Sequence, residues 1–395
     1  MKVDPAPWLD KPGIRRLLEA LGAEQGTARF VGGAVRDALL GITGEDLDLA
    51  TTLTPDDVVR RLTAKRIKAV PTGIEHGTIT AVSSGTVVEV TTLRSDVSTD
   101  GRRASVAFTT DWTLDAARRD FTINALYADP FTGEVLDPVG GETDIRARRV
   151  RFIGEPLQRI AEDHLRILRF FRFHARFGEG APDAAALAAC MARANDLMAL
   201  SRERIADELL KLLALPDPSP TVSLMQDRGI FMPVLPELVG NAGTQVAILA
   251  ANEQAAAIPP DPLRRLAAML PRDPAIADRV AARLKLSNKA RKRLAAAADP
   301  DLCANPRALA YAVSIETAHD RLLLAGRPSE AAALTGWPIP RLPLKGGDLI
   351  ARGITQGPDV ARTLHQIEAQ WVAAGFPIGP AFAALLDAAL AGSIV

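Results

Sequence analysis

The sequence is short of cysteine, of net charge and of long apolar runs, and each shortage excludes a class of function. Its 395 residues include only two cysteines, Cys190 and Cys303, too few for a disulfide framework or a cysteine zinc cluster. A reducing cytoplasm is therefore the expected compartment. Hydrophobic residues make up 48% of the chain, yet no run of them reaches the length of a membrane span. The opening MKVDPAPWLDKPG has no signal-peptide core, so export is not expected. The 47 basic residues are balanced by 47 acidic ones, so the overall charge does not advertise a nucleic-acid binder, and any such binding must come from a local patch. Two familiar phosphate loops are also missing, the Walker pattern G-x-x-x-x-G-K-[ST] and the dinucleotide fingerprint G-x-G-x-x-G.

The stretch from Phe30 to Thr52, FVGGAVRDALLGITGEDLDLATT, carries another kind of phosphate chemistry. It reads as a strand end, a tight turn at Gly32-Gly33, a short helix and a second strand bearing Asp46 and Asp48. Residues two apart on a strand share a face, so the two carboxylates project together while Leu47 and Leu49 point into a core. Adjacent carboxylates repel unless a cation lies between them, and the hard, oxygen-seeking cation that also binds phosphate is Mg2+. The glycines let the backbone approach a ligand closely, and the following helix offers N–H groups to an anion. Arg36 adds a planar fork suited to phosphate. A phosphate cradle followed at once by a metal pair points to chemistry on a nucleoside triphosphate.

Around this centre, residues 13–22 read as an amphipathic helix closed by Gly22, and Thr54-Pro55 as the N-cap and first residue of another helix. Strands follow at KAVPTG, GTITAV and TVVEVTTLR. Glu89, in the middle of the last, has two readings: a third carboxylate for metal-dependent nucleotidyl transfer, or an exposed strand glutamate. Residues 95–111 are polar and read as a mobile loop. In RRDFTINAL (118–126), Arg119 suits a phosphate, Asp120 a ribose hydroxyl, and Asn124 the support of either; the plain alternative is a helix start with solvated charges. Asp137 is expected to order the turn that follows.

Residues 146–176 form the local basic patch, with nine arginines against Glu155, Glu162 and Asp163. They read as one helix from Pro156 on, in which Asp163, Arg166, Arg169 and Arg172 recur at spacing three. A solvated charged face is the usual reason for such a run. A functional reading follows from base edges: cytosine and adenine each present an amino donor beside a ring-nitrogen acceptor, and uracil and guanine reverse the pair. Asp163 accepting and Arg166 donating would take C and A and reject U and G, each polar pair contributing about 1–3 kcal/mol. Ser201 is a cap for a further helix, with Arg202 or Arg204 bracing the site. LPDPSPTV (215–222) reads as a boundary, beyond which the chain is Ala/Leu-rich and helical in period. His319-Asp320 is an HD pair without the further ligands that a phosphohydrolase needs.

Taken in order, GGAVRD (32–37), DLD (46–48), RRDFTINAL (118–126), EDHLRILR (162–169) and SRERIADEL (201–209) resemble the class II CCA-adding tRNA nucleotidyltransferases of the polymerase-β superfamily. The resemblance implies an α+β architecture: a small mixed-sheet nucleotidyltransferase head (1–145), a helical neck that recognises the base (146–214), and a helical body and tail that grip tRNA (215–395). It implies Gly33 and Arg36 at the triphosphate (where the turn reading also sets Gly32), Asp46 and Asp48 on Mg2+, and Arg119 and Asp120 at phosphate and sugar. Asp163 and Arg166 would template the base, with Arg169 and Arg172 in support. The implied partners are tRNA, CTP and ATP, with neither membrane nor DNA. Poly(A) polymerases share the head and neck motifs and are the nearest alternative, followed by enzymes that add only CC or only A. A non-catalytic RNA-binding protein is the alternative of a different class.

Overall fold

A computed structural model describes residues 1–42, 44, 47–100, 103–303, 305–354 and 357–391, with only the backbone described for 96–100, 103–106 and 391. The chain forms two compact units, one of residues 1–208 with 227–234, the other of 209–226 with 235–395. The head and the neck expected as separate pieces up to residue 208 thus share the first unit.

Among the described residues that unit has nine strands: β1 Ala28–Val31, β2 Asp48–Thr51, β3 Lys68–Gly73, β4 Thr78–Ser83, β5 Thr86–Thr92, β6 Arg94–Asp100, β7 Arg103–Phe108, β8 Tyr127–Ala128 and β9 Val135–Leu136. Seven make one mixed sheet in the order β3-β4-β5-β2-β1-β8-β9, and β6 and β7 pair separately. β2 is central, antiparallel to β1 and parallel to β5. Strand alternation separates its faces. Leu49 is fully buried on one side with Phe30, Ile79 and Val90, while Ala50 packs on the other with Val31, Leu93, Tyr127 and Ile153. Leu47 is buried as its expected inward orientation requires. The helix Ile14–Leu21 buries Ile14, Leu17, Leu18 and Leu21 completely and ends on Gly22 in the left-handed conformation. Thr54 caps the helix Pro55–Ala64 by accepting from the Asp57 N–H.

Two local expectations change. Residues expected as a loop within 95–111 pair as the antiparallel hairpin β6–β7. The hairpin is held by backbone hydrogen bonds, which its polar composition does not reveal. The expected single helix from Pro156 breaks into Pro156–Glu162 and Arg166–Phe177. Asp163 lies between them in an extended conformation and accepts from the Leu165 N–H at 3.1 Å. Such a local carboxylate bond competes with the helical ladder and ends it.

The second unit is helical. Asp261, Asp273 and Asn305 each cap a helix whose first residue is proline, which explains the starts of Pro262–Met269, Pro274–Arg283 and Pro306–Val313. Its centre holds Leu309, Ala318, Leu322 and Leu323, and a separate cluster near the end packs Leu349, Ile367, Trp371 and Leu386. Asp320 is fully buried and bonded to Arg264 and Arg293, so this half of the HD pair is a structural anion. Among the described residues no helix is long and apolar enough to cross a membrane.

Candidate active site

Asp48 opens β2, and the parallel register sets it directly opposite Glu89 of β5. Facing residues in neighbouring strands project to the same side of the sheet, so two acids from distant segments stand together. Asp46 lies outside the described residues. Among the described residues no three His, Cys, Asp or Glu side chains gather as a metal site. The donor set that the sheet brings together is carboxylate oxygen, the set that a hard divalent cation takes.

The glycine turn precedes this pair in the chain. Gly32 has φ 66° and ψ −117°, a conformation that costs only glycine nothing, and its N–H donates to the Leu126 carbonyl at 3.0 Å. Gly33 starts the helix Gly33–Leu39, and the space where its side chain would begin lies 3.6 Å from Arg36 Nη2. Arg36 is itself buried, 6% exposed. Its Nε and Nη2 bind Asp37 Oδ1 at 2.8 and 2.7 Å, and Nη1 donates to Asn124 Oδ1 at 2.5 Å. Burial lowers its pKa from the ordinary arginine value, with Asp37 opposing. The fork is therefore not open: in the fold its Nε and Nη1 are hydrogen-bonded and its Nη2 is ion-paired to Asp37.

Arg119 and Asp120 enter from the segment after the helix Trp112–Ala117. Arg119 binds Asp115 Oδ2 through Nη2 at 2.9 Å and through Nε at 3.1 Å. Asp120 accepts from the Asn124 amide at 3.1 Å and from Arg169 Nε at 2.8 Å, which ties the motif to the helix Arg166–Phe177. Burial pushes the Asp120 carboxyl up, but Arg169, Asn124 and the Phe121 N–H outweigh it and hold the pKa below the ordinary value. Arg172 Nε donates to the buried Glu208 at 2.6 Å.

Asp163 and Arg166 flank the helix break, each held by another partner. Arg204 Nη2 donates to Asp163 Oδ2 at 2.8 Å, the bracing expected of Arg202 or Arg204. Arg166 Nη1 binds Glu162 at 2.6 Å and the Arg159 carbonyl at 2.9 Å, while Nη2 reaches the Arg118 carbonyl at 3.2 Å. Asp137 orders its turn as expected, accepting from the Gly141 and Glu142 N–H groups at 2.8 and 2.9 Å.

Sequence reasoning missed Asp115, 1% exposed and the hub of this segment. It accepts from Arg118, from Arg119, from the Tyr127 hydroxyl at 2.7 Å and from the Arg94 N–H at 3.1 Å. Its position three and four residues before two arginines was the available signal. Burial pushes the carboxyl up, but Arg119, Arg118 and Tyr127 together bring it down to about 2 from the ordinary 3.8. A depressed carboxyl contributes stability above its unfolded pKa and loses it as pH falls through the folded one. Asp115→Asn should therefore cost roughly 2 kcal/mol at neutral pH. It should also flatten the fall in stability between about pH 4 and 2. Urea unfolding of both proteins across that range checks this.

Comparisons with known proteins extend over this geometry. Residues 28–151 match the poly A polymerase head domain, and residues 182–240 match the probable RNA and SrmB-binding site of polymerase A. The chain is 35% identical over 382 residues to the mouse mitochondrial CCA tRNA nucleotidyltransferase 1, covering 92% of this chain and 87% of the relative. It is 39% identical over 236 residues to the CCA-adding enzyme of Geobacillus thermodenitrificans, covering 58% and 56%. The crystal structure of the Bacillus stearothermophilus CCA-adding enzyme in complex with CTP superimposes with a TM-score of 0.76 at 28% identity, covering 97% of this chain and 99% of that one.

Proposed function

The chain belongs to the class II CCA-adding tRNA nucleotidyltransferase family, and from that premise we propose that it adds C, C and A to the 3′ end of tRNA from CTP and ATP, releasing pyrophosphate. The observation that carries the chemistry is the register that pairs Asp48 with Glu89 on one face of the sheet. A family of this kind depends on a divalent metal, and we assign Mg2+ to Asp48 and Asp46, with Glu89 as the third catalytic carboxylate. When bound, Mg2+ lowers the pKa of the attacking 3′-hydroxyl and offsets the charge of the leaving pyrophosphate.

The protein's own residues bind and orient. Gly32 and Gly33 let the backbone approach the triphosphate, and Arg36 presents its guanidinium to it. Arg119, fixed by Asp115, meets phosphate. Asp120 and Asn124 order the sugar side, held by Arg169. At the base edge, Asp163 accepts from the amino group of C or A and Arg166 donates to the ring nitrogen, with Arg204, Glu162 and Arg172 holding the frame. In this division the head is 1–145 and the neck 146–214, and the body and tail, 215–395, bind tRNA. We assign the protein to the cytoplasm on its low cysteine content, which suits a reducing compartment.

The test is extension of tRNA lacking its 3′ CCA, with Mg2+ and each nucleotide alone or combined. Three nucleotides added with CTP plus ATP, and none with UTP or GTP, is the expected result. A long ladder with ATP alone identifies a poly(A) polymerase, and no extension with any metal identifies an RNA-binding protein. Asp163→Ala should reduce discrimination against UTP and GTP by roughly tenfold to a hundredfold, the value of one lost polar pair. Single-nucleotide incorporation measures it, and a variant that keeps its preference for C and A refutes the template assignment.

A further inference from the structure

We infer that Phe177, the last residue of the helix Arg166–Phe177, is a positioning residue that holds the Arg36 guanidinium in the plane from which it meets the triphosphate. The inference rests on the triphosphate role of Arg36 proposed above. The Arg36 guanidinium carbon lies 3.9 Å from the centroid of the Phe177 ring and 5.4 Å from that of Phe173. The two rings stand one helical turn apart, 5.7 Å between centroids, and are stacked at 27°. Phe177 is 4% exposed, so the stack is closed to solvent.

Asp37 and Asn124 fix the guanidinium by its N–H directions, which sets its rotation within its own plane. These bonds lie in the guanidinium plane and resist tilt out of it less than rotation within it, and the Phe177 face restrains that tilt. Its negative quadrupole also offsets the cost of burying a cation. Arg176 approaches the same ring, 4.9 Å from its centroid, and stands 3.7 Å from Asp37 Oδ2, so the two guanidinium groups share that ring and that carboxylate. Arg36 and Phe177 also line a void of about 10 Å3, room for one water. Loss of the ring would enlarge it and let water compete for the guanidinium N–H groups.

The experiment compares Phe177→Leu with a series in which Phe177 is replaced by mono-, di- and trifluorinated phenylalanine, which keeps the shape and weakens the quadrupole stepwise. The readouts are KM for CTP, kcat, inhibition by pyrophosphate, and the preference for C and A. Phe177→Leu is expected to raise KM and the pyrophosphate inhibition constant together, roughly threefold to thirtyfold. A graded rise is expected along the fluorinated series, with base preference unchanged. A purely structural role would not produce that gradation, and a flat series overturns the inference even if Phe177→Leu folds poorly. Arg36→Met separates the two failures. If it leaves pyrophosphate inhibition unchanged, the triphosphate role of Arg36 is wrong and the inference falls with it. If it weakens inhibition while the fluorinated series stays flat, only the positioning role of Phe177 is overturned.

Discussion

Asp48→Ala is expected to lower nucleotide incorporation at saturating CTP by about a thousandfold or more, with tRNA binding close to that of the parent. A drop of that size corresponds to about 4 kcal/mol of lost transition-state stabilisation, the range expected when a metal-binding carboxylate is removed. Asp48 opens β2, whose buried residues are Leu49, Ala50 and Thr51. Glu89→Gln is the informative companion. Glu89 is exposed and faces Asp48 in the parallel register, so its loss should also cut kcat if it completes the carboxylate set. A Glu89→Gln enzyme with unchanged kcat would return that residue to an ordinary strand position. An Asp48→Ala enzyme with more than about a tenth of parental activity would remove the metal-binding face from the proposal altogether.

The second large effect concerns stability in the helical unit. Asp320→Ala should destabilise the protein by about 3–5 kcal/mol, the usual cost of breaking a buried ion pair from one side. Asp320 Oδ1 accepts from Arg264 Nε at 2.8 Å and Arg293 Nη2 at 2.9 Å, and Oδ2 accepts from Arg293 Nε at 2.8 Å. Arg264 continues to Glu253 at 2.8 Å, and Glu253 to Arg265 Nε at 3.0 Å. Without Asp320, Arg264 keeps Glu253 and Arg293 keeps Asp261 and Glu316, but the Nε groups of both arginines, which face Asp320, are left without an acceptor inside the core. Guanidinium unfolding monitored by helical circular dichroism checks this. Replacing Asp320, Arg264 and Arg293 together by apolar residues should be less damaging than Asp320→Ala alone, because the most buried carboxylate that remains, Glu253, keeps Arg265. A loss below about 1 kcal/mol for Asp320→Ala would mean that water already solvates the network.

These two predictions differ in how far the primary structure anticipates them. Asp48 is visible as chemistry because the glycine turn, the short helix and the alternating DLDL pattern are local, and local periodicity dictates which face of a strand a residue occupies. Asp320 reads only as half of a short motif. Its meaning lies in Arg264 and Arg293, which are 56 and 27 residues away.

The same division holds across the molecule. The sequence alone determined the phosphate turn, the strands at Lys68–Gly73, Thr78–Ser83 and Thr86–Thr92, the capped helix starts and the five ordered motifs that mark the family. Each rests on neighbours within one or two turns of chain. Tertiary structure decided that Glu89 stands beside Asp48, that Asp163 breaks its helix and is braced by Arg204, and that Arg36 lies against Phe177. It also decided that residues expected as a loop pair as a hairpin. Register between strands, and the partner that each buried arginine takes, are selected by packing across tens of residues. No short-range pattern in the sequence carries that selection, because many acids lie within reach of each arginine and only the closed core decides which of them are buried beside it.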